Sequence, residues 1–586
     1  MVTQRRAGGG WWLLEPAAPD VCTPEQFSEE HRLIARTVRA FLAQDVAPLD
    51  VRLEAKDLPL LREVLQKLAA LGVFAADVPP EFGGLGLDRL TGLLLAETIS
   101  RGSVSSSVGA HVTIGMLPIV LFGTRAQRAR YLPRMVSGEL IGAYALTEST
   151  AGSDALSLRT TAERDPDGAY RLTGGKQFIT NGGIADVYVL YAKVEGKVTC
   201  FIVERGMPGF AVGPEEHKMG LRGSSTTSLF LDNVRVPREN VLGEVGRGHV
   251  VALNILNVGR LKLGAGCVGA AKHALRQTVA YARERRQFGR SIATFGLIKQ
   301  KIAEMAIRLY LAESMVYRTG GLLDRALGEI DLSGEGGGPE AARALEEYAP
   351  ECAINKVYGS EMLDFVVDEM VQIYGGYGFI EDYPAARAYR DARINRLYEG
   401  TNEINRLVIA GLMLRRAAAG RIPLFDAAFR AAESIGTTGG AVEAAGGDTW
   451  LGHGKTVALG CLGRAAERFG PKIDDQQEIL ACLSDQMIGI FAAESAALRA
   501  RQNADGHGGD LMARISTQAA EDIIGCVRDR AVRILAAVED GPRLSRDVAG
   551  VHALLARPPH DGFAARRAVA EQVIEGGGYG LGLPSG

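Results

Sequence analysis

DVYVLYAKVEGKVTCFIVE, residues 186–204, decides the fold. Residues 186–194 and 199–204 are rich in β-branched and aromatic side chains, with Glu195-Gly196-Lys197 between them. That pattern reads as two strands joined by a turn. Working outward, Asp165-Pro166-Asp167-Gly168 is a turn signal between two further strand candidates. SLFLDNVRVP (228–237) alternates and stops at its proline. Residues 141–245 therefore read as a middle β domain. The flanks are helical. Thr23-Pro24-Glu25-Gln26 places Thr23 at an N-cap, Pro24 at the first helical position and Gln26 at the third, a capping-box pattern. Ile34, Val38, Phe41 and Leu42 then share one helical face. Further helical patterns over 59–72, 90–101 and 125–136 make 23–140 an N-terminal helical domain. Helical patterns return over 246–415, broken by the Gly-rich 333–340, and again over 449–574 with a break at 505–510. Residues 1–22 are expected to be a flexible N-terminal segment, 416–448 a linker, and 449–586 an additional helical domain. The order helical, β, helical, helical is not a βαβ alternation, which disfavours a doubly wound dinucleotide fold.

The 586 residues leave room for about three to five domains. Lys+Arg 66 against Asp+Glu 69 gives a net charge of −3, so no global pull toward nucleic acid is expected. Seven scattered cysteines without C-x-x-C argue against a disulfide framework and a cysteine-based zinc site, and no H-E-x-x-H is present. No metal is expected. The N-terminus lacks a sustained apolar run, so the expected location is cytoplasmic. Between Arg101 and Arg125 there is no formal charge. The serine cluster (Ser103, Ser105, Ser106, Ser107), His111 and Pro118 make a buried helical hairpin the better reading than a membrane span.

Neither a Walker A motif nor a G-x-S-x-G elbow occurs. Three segments stand out. YALTESTAGSD (144–154) and QFITNGGIAD (177–186) run from strand ends into small polar residues, which suit a flat heterocycle or a phosphate as well as simple turns. IYGGYGFIEDYPAARAYRDARINRLYEGTNEINRL (373–407) carries Gly375, Gly376 and Gly378, where a backbone can come close to a ligand. Its Glu399 precedes a helix capped by Thr401. A loop carboxylate is a general-base candidate if water is excluded, and otherwise an ordinary exposed glutamate.

Together with RRQFG (285–289), these motifs resemble, in order, those of the acyl-CoA dehydrogenase family over residues 20–415. FGLIKQKIAEMA (295–306) and the C-terminal extension are similar to the very-long-chain branch. Gly296 stands where medium-chain relatives have a glutamine. The resemblance implies a mainly helical α+β fold: an N-terminal helical domain, a β-barrel-like middle domain, a C-terminal four-helix bundle and the additional helical domain.

It also implies FAD. Tyr144, Leu146 and Thr147 would line the flavin ring, Gly152 and Ser153 would lie where flavin and acyl-CoA meet, and Phe178 and Thr180 would flank the ring. Arg285, Gln287, Phe288, Gln372, Gly375 and Gly376 would reach the cofactor of a neighbouring subunit, while Thr401 and Glu403 match further FAD contacts. Glu399 matches the base that removes the α-proton, with Gly400 beside it at the substrate. Burial is expected to raise its pKa against the helix N-terminus. Gly259, where some relatives carry the base, cannot serve; Arg260 would hold the CoA end. The implied partners are long-chain acyl-CoA and electron-transfer flavoprotein. In that branch the extension is associated with a homodimer in place of a tetramer and with peripheral membrane contact, here at the inner membrane. The 436–448 segment carries no basic cluster to support the latter. An acyl-CoA oxidase using O₂ and a respiratory-complex assembly factor are the alternative readings.

Overall fold

The structure is a computed structural model that describes residues 8–14, 21–100, 102–332, 334, 337–436, 449–557 and 560–582. The N-terminal helices are α1 (Glu29–Phe41), α2 (Leu58–Ala70), α3 (Arg89–Ile99), α4 (Gly102–Phe122) and α5 (Arg125–Val136). The capping box at Thr23 forms, but it closes only a 3₁₀ turn, Pro24–Gln26. Phe27 leaves helical geometry there (ψ 132°), and α1 starts afresh with Ser28 Oγ accepting from His31 N–H. The uncharged stretch is one buried helix and not a hairpin: α4 runs through π-type turns at Ala110–Met116, and Pro118 sits where the following α-helical segment begins.

The middle domain comprises β1 (Gly142–Ala145), β2 (Thr161–Arg164), β3 (Tyr170–Thr180), β4 (Val187–Val194), β5 (Lys197–Glu204), β6 (Phe210–Glu215), β7 (Thr226–Val236) and β8 (Val241–Leu242). Their order is β6-β7-β3-β2-β4-β5-β8, with β1 parallel to β4. The β4–β5 turn is shorter than expected. Glu195 (φ 48°) and Gly196 (φ 79°) make the whole connection, and Lys197 already pairs with Val194. Two left-handed residues match the twist of the flanking strands.

The third unit holds α6 (Gly248–Glu284), α7 (Gly296–Gly328), α8 (Gly337–Glu347), α9 (Ala349–Tyr374), α10 (Pro384–Ala392) and α11 (Asn402–Ala418). The long helices α6, α7 and α9 pack on one another, and α11 lies against α9. Beyond them come α12 (Leu424–Ile435), α13 (Thr449–Phe469), α14 (Gln477–Gln502), α15 (Gly509–Val538), α16 (Gly541–Leu554) and α17 (Gly562–Glu575). These added helices lie on the bundle: α14 packs on α7 and α11, and α17 packs on α7. Among the described residues, α4, α6 and α14 are long and apolar enough to cross a membrane, and most of each is buried in the fold.

Two expectations change. Residues 8–14 of the expected flexible segment are packed: Trp11 and Trp12 are buried, and Glu351 Oε1 accepts from Gly9 N–H (2.6 Å) and Trp11 Nε1 (3.2 Å). Two indoles bury too much apolar surface to stay in water. The expected linker contains α12, which buries Leu424, Ala428, Ala431, Ala432 and Ile435. Its Gly-rich part, 437–448, lies outside the described residues, as do 1–7 and 15–20.

Candidate active site

Glu399 lies in the turn before α11, and its φ of +57° puts a non-glycine residue in the left-handed region. Surrounding groups hold that turn. Asn405 Nδ2 donates to three successive carbonyls, of Glu399 (3.3 Å), Gly400 (2.8 Å) and Thr401 (3.0 Å). Arg260 Nε donates to the Glu399 carbonyl (3.2 Å), and its Nη1 to Asn257 Oδ1 (2.9 Å). Thr401 Oγ1 caps α11 through Ile404 N–H (3.3 Å). Gly400 continues the turn at φ +81°.

The Glu399 side chain faces a cavity of about 720 Å³. Its Oε2 is buried without a hydrogen-bond partner. Desolvation raises its pKa to about 7, against the lowering fields of Arg260 and Lys356. Desolvation therefore dominates, as the residue type and setting led us to expect. Gly259 makes the space: a Cβ there would lie 2.8 Å from Oε2. The glycine that cannot be a base is also what lets the carboxylate occupy its position.

Strand ends bring the polar segments to the same region. Tyr144 and Leu146 are buried on and just after β1, and the Thr147 carbonyl accepts from Gln177 N–H (2.9 Å). A register shift between Lys176 and Ile179 gives Phe178 a φ of +58° and leaves its ring 58% exposed. Bulges of this kind re-aim a side chain. Thr180, closing β3, lines the Glu399 cavity. Next to it, Asn181 Nδ2 ties β3 to α4 through the Ser107 carbonyl (2.9 Å). Gly152 and Ser153 lie exposed on the loop after β1.

A second group sits where α6 and α9 end. Tyr281 and Tyr374 stack at 4.0 Å, and Arg285 lies 5.5 Å from the Tyr377 ring. Arg285, Gln287, Gln372, Gly375 and Gly376 are exposed there, and Phe288 is 92% exposed. Glu403 is exposed on the first turn of α11. Of the sequence-derived residues, Thr180 and Glu399 line the cavity, while Gly152, Ser153, Phe178, Arg285, Gln287, Phe288, Gln372, Gly375 and Gly376 are exposed. Arg260, expected at the CoA end, is buried, bonds the base turn and does not line the cavity.

Sequence reasoning missed Lys356, Asn402 and Asn405. Lys356 is buried and donates to Asn402 Oδ1 (2.6 Å), while Asn402 Nδ2 donates to Ser360 Oγ (3.0 Å). A lone lysine inside the apolar run APECAINKVYG (349–359) was the available signal.

Family comparison matches each unit. The N-terminal, middle and C-terminal acyl-CoA dehydrogenase domains match residues 28–139, 143–234 and 246–414, and a further acyl-CoA dehydrogenase C-terminal domain matches 453–552. A probable acyl-CoA dehydrogenase of Bacillus subtilis (strain 168) is 44% identical, with 98% of each chain covered. The chain belongs to the acyl-CoA dehydrogenase family. A crystal structure of a Bacillus anthracis acyl-CoA dehydrogenase complexed with FAD superposes with a TM-score of 0.94 at 40% identity, covering 98% of this chain and 99% of that one. The very long-chain specific acyl-CoA dehydrogenase of Homo sapiens is 42% identical over 59% of this chain, which spans about half (52%) of that relative. Glu399, the candidate base of this acyl-CoA dehydrogenase, lies within the C-terminal domain match, residues 246–414.

Proposed function

We propose that this enzyme catalyses FAD-dependent α,β-dehydrogenation of long-chain acyl-CoA thioesters to trans-2-enoyl-CoA, in fatty-acid β-oxidation. The observation that carries the reading is the buried, unpartnered Oε2 of Glu399 on a side chain that faces a cavity of about 720 Å³. A pKa of about 7 is well placed for a base that works near neutrality. Glu399 takes the α-proton, and the Glu399 backbone N–H is the chain's donor to the thioester oxygen as charge develops there. Asn405 and Arg260 hold the turn so that the carboxylate meets the substrate in one geometry.

The residues fit FAD. Phe178 offers an exposed ring at a strand end beside Thr180, and Cβ atoms at Gly152, Gly375 and Gly376 would meet only open space. Tyr144, Leu146, Thr147, Gly152, Ser153, Phe178 and Thr180 would hold the flavin of their own subunit. Arg285, Gln287, Phe288, Gln372, Gly375 and Gly376 would reach that of a second copy, in a homodimer; the exposed Phe288 supports this. Bound FAD supplies the acceptor for the β-hydrogen as hydride. Family membership supports electron-transfer flavoprotein as the subsequent acceptor.

The test is anaerobic mixing with palmitoyl-CoA. Flavin absorbance should bleach in the wild type, and Glu399→Gln should slow bleaching by about 10³-fold or more. Equal rates in the two proteins would sink the assignment of the base. Hydrogen peroxide released in air at the turnover rate would replace the flavoprotein acceptor with O₂.

A further inference from the structure

Four lysines are buried among the described residues, and a buried lysine is expected to have a carboxylate partner. Three of them do. Lys176 pairs with Glu148 (2.7 Å), Lys272 with Glu97 (2.7 Å) and Glu313, and Lys455 with Glu494. Lys356, on α9, has no exposure, and among the described residues its ammonium donates only to a neutral acceptor, Asn402 Oδ1 (2.6 Å). Asn402 is the first residue of α11, three positions after Glu399. Its amide is also held from the other side, where Nδ2 donates to Ser360 Oγ (3.0 Å) and Glu361 Oε1 (3.1 Å). One face of α9 therefore grips the start of α11, while Asn405 and Arg260 grip the turn that precedes it.

The groups that face Lys356 come from every element around it: Glu361 from α9, Arg260 and Cys267 from α6, Glu399 from the base turn and Glu403 from α11. Glu361 is matched by Arg406 (2.8 Å), which also binds Asp485 of α14 (2.7 Å). Glu403 is exposed, burial pushes the Cys267 thiol up to about 12, and Arg260 is a like charge. Glu399 is the carboxylate that remains, with its Oε2 unpartnered. Burial pushes the Lys356 ammonium down to about 8, still above the value of about 7 at Glu399, so the lysine is charged while the base ionises.

We propose that Lys356 is a positioning residue for the dehydrogenation: through Asn402 it fixes the α11 end of the base turn, and its buried positive charge favours the ionised, proton-accepting form of Glu399. Lys356 does not line the cavity, so it acts through Asn402 and through its field, which the interior screens little. The inference rests on the reading of Glu399 as the base of a dehydrogenase.

The experiment measures the pH profile of kcat/KM for palmitoyl-CoA in FAD-loaded wild type, Lys356→Met, Lys356→Arg and Asn402→Ala. Methionine keeps the bulk and drops the charge, so the ascending limb should move up by about one pH unit, an approximately fivefold loss at pH 7. Arginine keeps the charge, and its limb should stay within about 0.3 unit of wild type. Asn402→Ala keeps the charge and drops the brace, so the rate of flavin reduction on the high-pH plateau should fall about tenfold with the limb in place. A second readout needs no acyl-CoA. The stability gained by Glu399→Gln should level off above about pH 7 in the wild-type background, and above about pH 8 in the Lys356→Met background. A Lys356→Met limb and stability plateau that coincide with wild type overturn the role of the charge, as does an arginine variant that shifts as far as methionine. An Asn402→Ala plateau rate equal to wild type overturns the brace. Failure of every acyl-CoA to bleach the wild-type flavin would instead remove the dehydrogenase reading, while the stability plateau would still decide whether Lys356 sets the proton affinity of Glu399.

Discussion

Glu313 and Glu399 both belong to the third unit, the first fully buried and the second half-buried with its Oε2 out of solvent. Glu313, on α7, has no exposure, yet its pKa is held below the usual carboxylate range. Burial would raise it, but Arg499 and Lys272 outweigh burial. Arg499 Nη1 (2.7 Å), the Tyr579 hydroxyl (2.7 Å) and the Lys272 ammonium all donate to it. Glu399 has cations in its field but no donor on Oε2, and its pKa rises to about 7. Burial alone therefore does not mark a catalytic carboxylate. The supply of donors separates a charge that ties helices together from one kept in reserve for a substrate proton.

The comparison breaks most visibly at Glu313. Glu313→Ala leaves Arg499 with Glu25 (2.6 Å) and Lys272 with Glu97 (2.7 Å), so each buried cation loses part of its compensation. The expected loss is about 3–5 kcal/mol of unfolding free energy, read by denaturant titration. The rate of flavin reduction per folded molecule should not change. A loss under about 1 kcal/mol would show that the cluster is solvated and that burial, not pairing, is the relevant variable.

Glu399→Gln should act in the opposite direction on stability. Folding raises the pKa of Glu399 above its ordinary 4.5 to about 7. Its contribution is then fully favourable below about pH 4.5 and is lost as pH rises through about 7. At pH 8 the ionised carboxylate opposes folding, so the glutamine variant should be more stable than wild type by on the order of 2 kcal/mol. Near pH 4 the two should converge. The wild-type kcat/KM should rise with pH through about 7 as the base ionises. A variant no more stable at pH 8 than at pH 4 would mean that Glu399 is not desolvated.

Much of this was legible in the sequence, and the limits were physical. The strands of 186–204 and the Thr401 cap are local patterns, set by residues within a few positions of one another. Glu399 was reached through its motif, and its elevated pKa through the expectation of burial. Which cations oppose that rise was not legible. Gly259 and Arg260 act on Glu399 across 140 and 139 residues of chain, and no local pattern reports such a meeting. The Glu313 cluster was invisible for the same reason, since Arg499 lies 186 residues from its partner. The N-terminal segment was misread because its glycines suggested a mobile tail, while Trp11 and Trp12 dock on helices hundreds of residues away.

Asn405→Ala tests the intermediate scale. It removes the donor to three carbonyls of the base turn without touching the carboxylate. Arg260 still holds the Glu399 carbonyl, so the turn should persist with a looser base. A fall of about 10–100-fold in the rate of flavin reduction is expected, with a smaller change in KM. Unchanged chemistry would show that the left-handed backbone of Glu399 is set by Gly400 and the Thr401 cap instead.

Tyr579→Phe is the finest probe, because it removes one donor from the satisfied carboxylate and adds none to the unsatisfied one. Its ring stays buried, with the Lys272 ammonium 5.5 Å from its centre, so packing is retained. Glu313 keeps Arg499 and Lys272. One hydrogen bond to a charged acceptor contributes about 1.5–3 kcal/mol where no other donor remains; with two cations left, about 1 kcal/mol is expected. Because the pKa of Glu313 stays low, that loss should be nearly constant from pH 6 to pH 8, unlike the pH-dependent difference in Glu399→Gln. A loss as large as that of Glu313→Ala would mean that the hydroxyl, and not the two cations, holds the carboxylate ionised. The C-terminal tail that carries Tyr579 would then be the element on which the whole cluster depends.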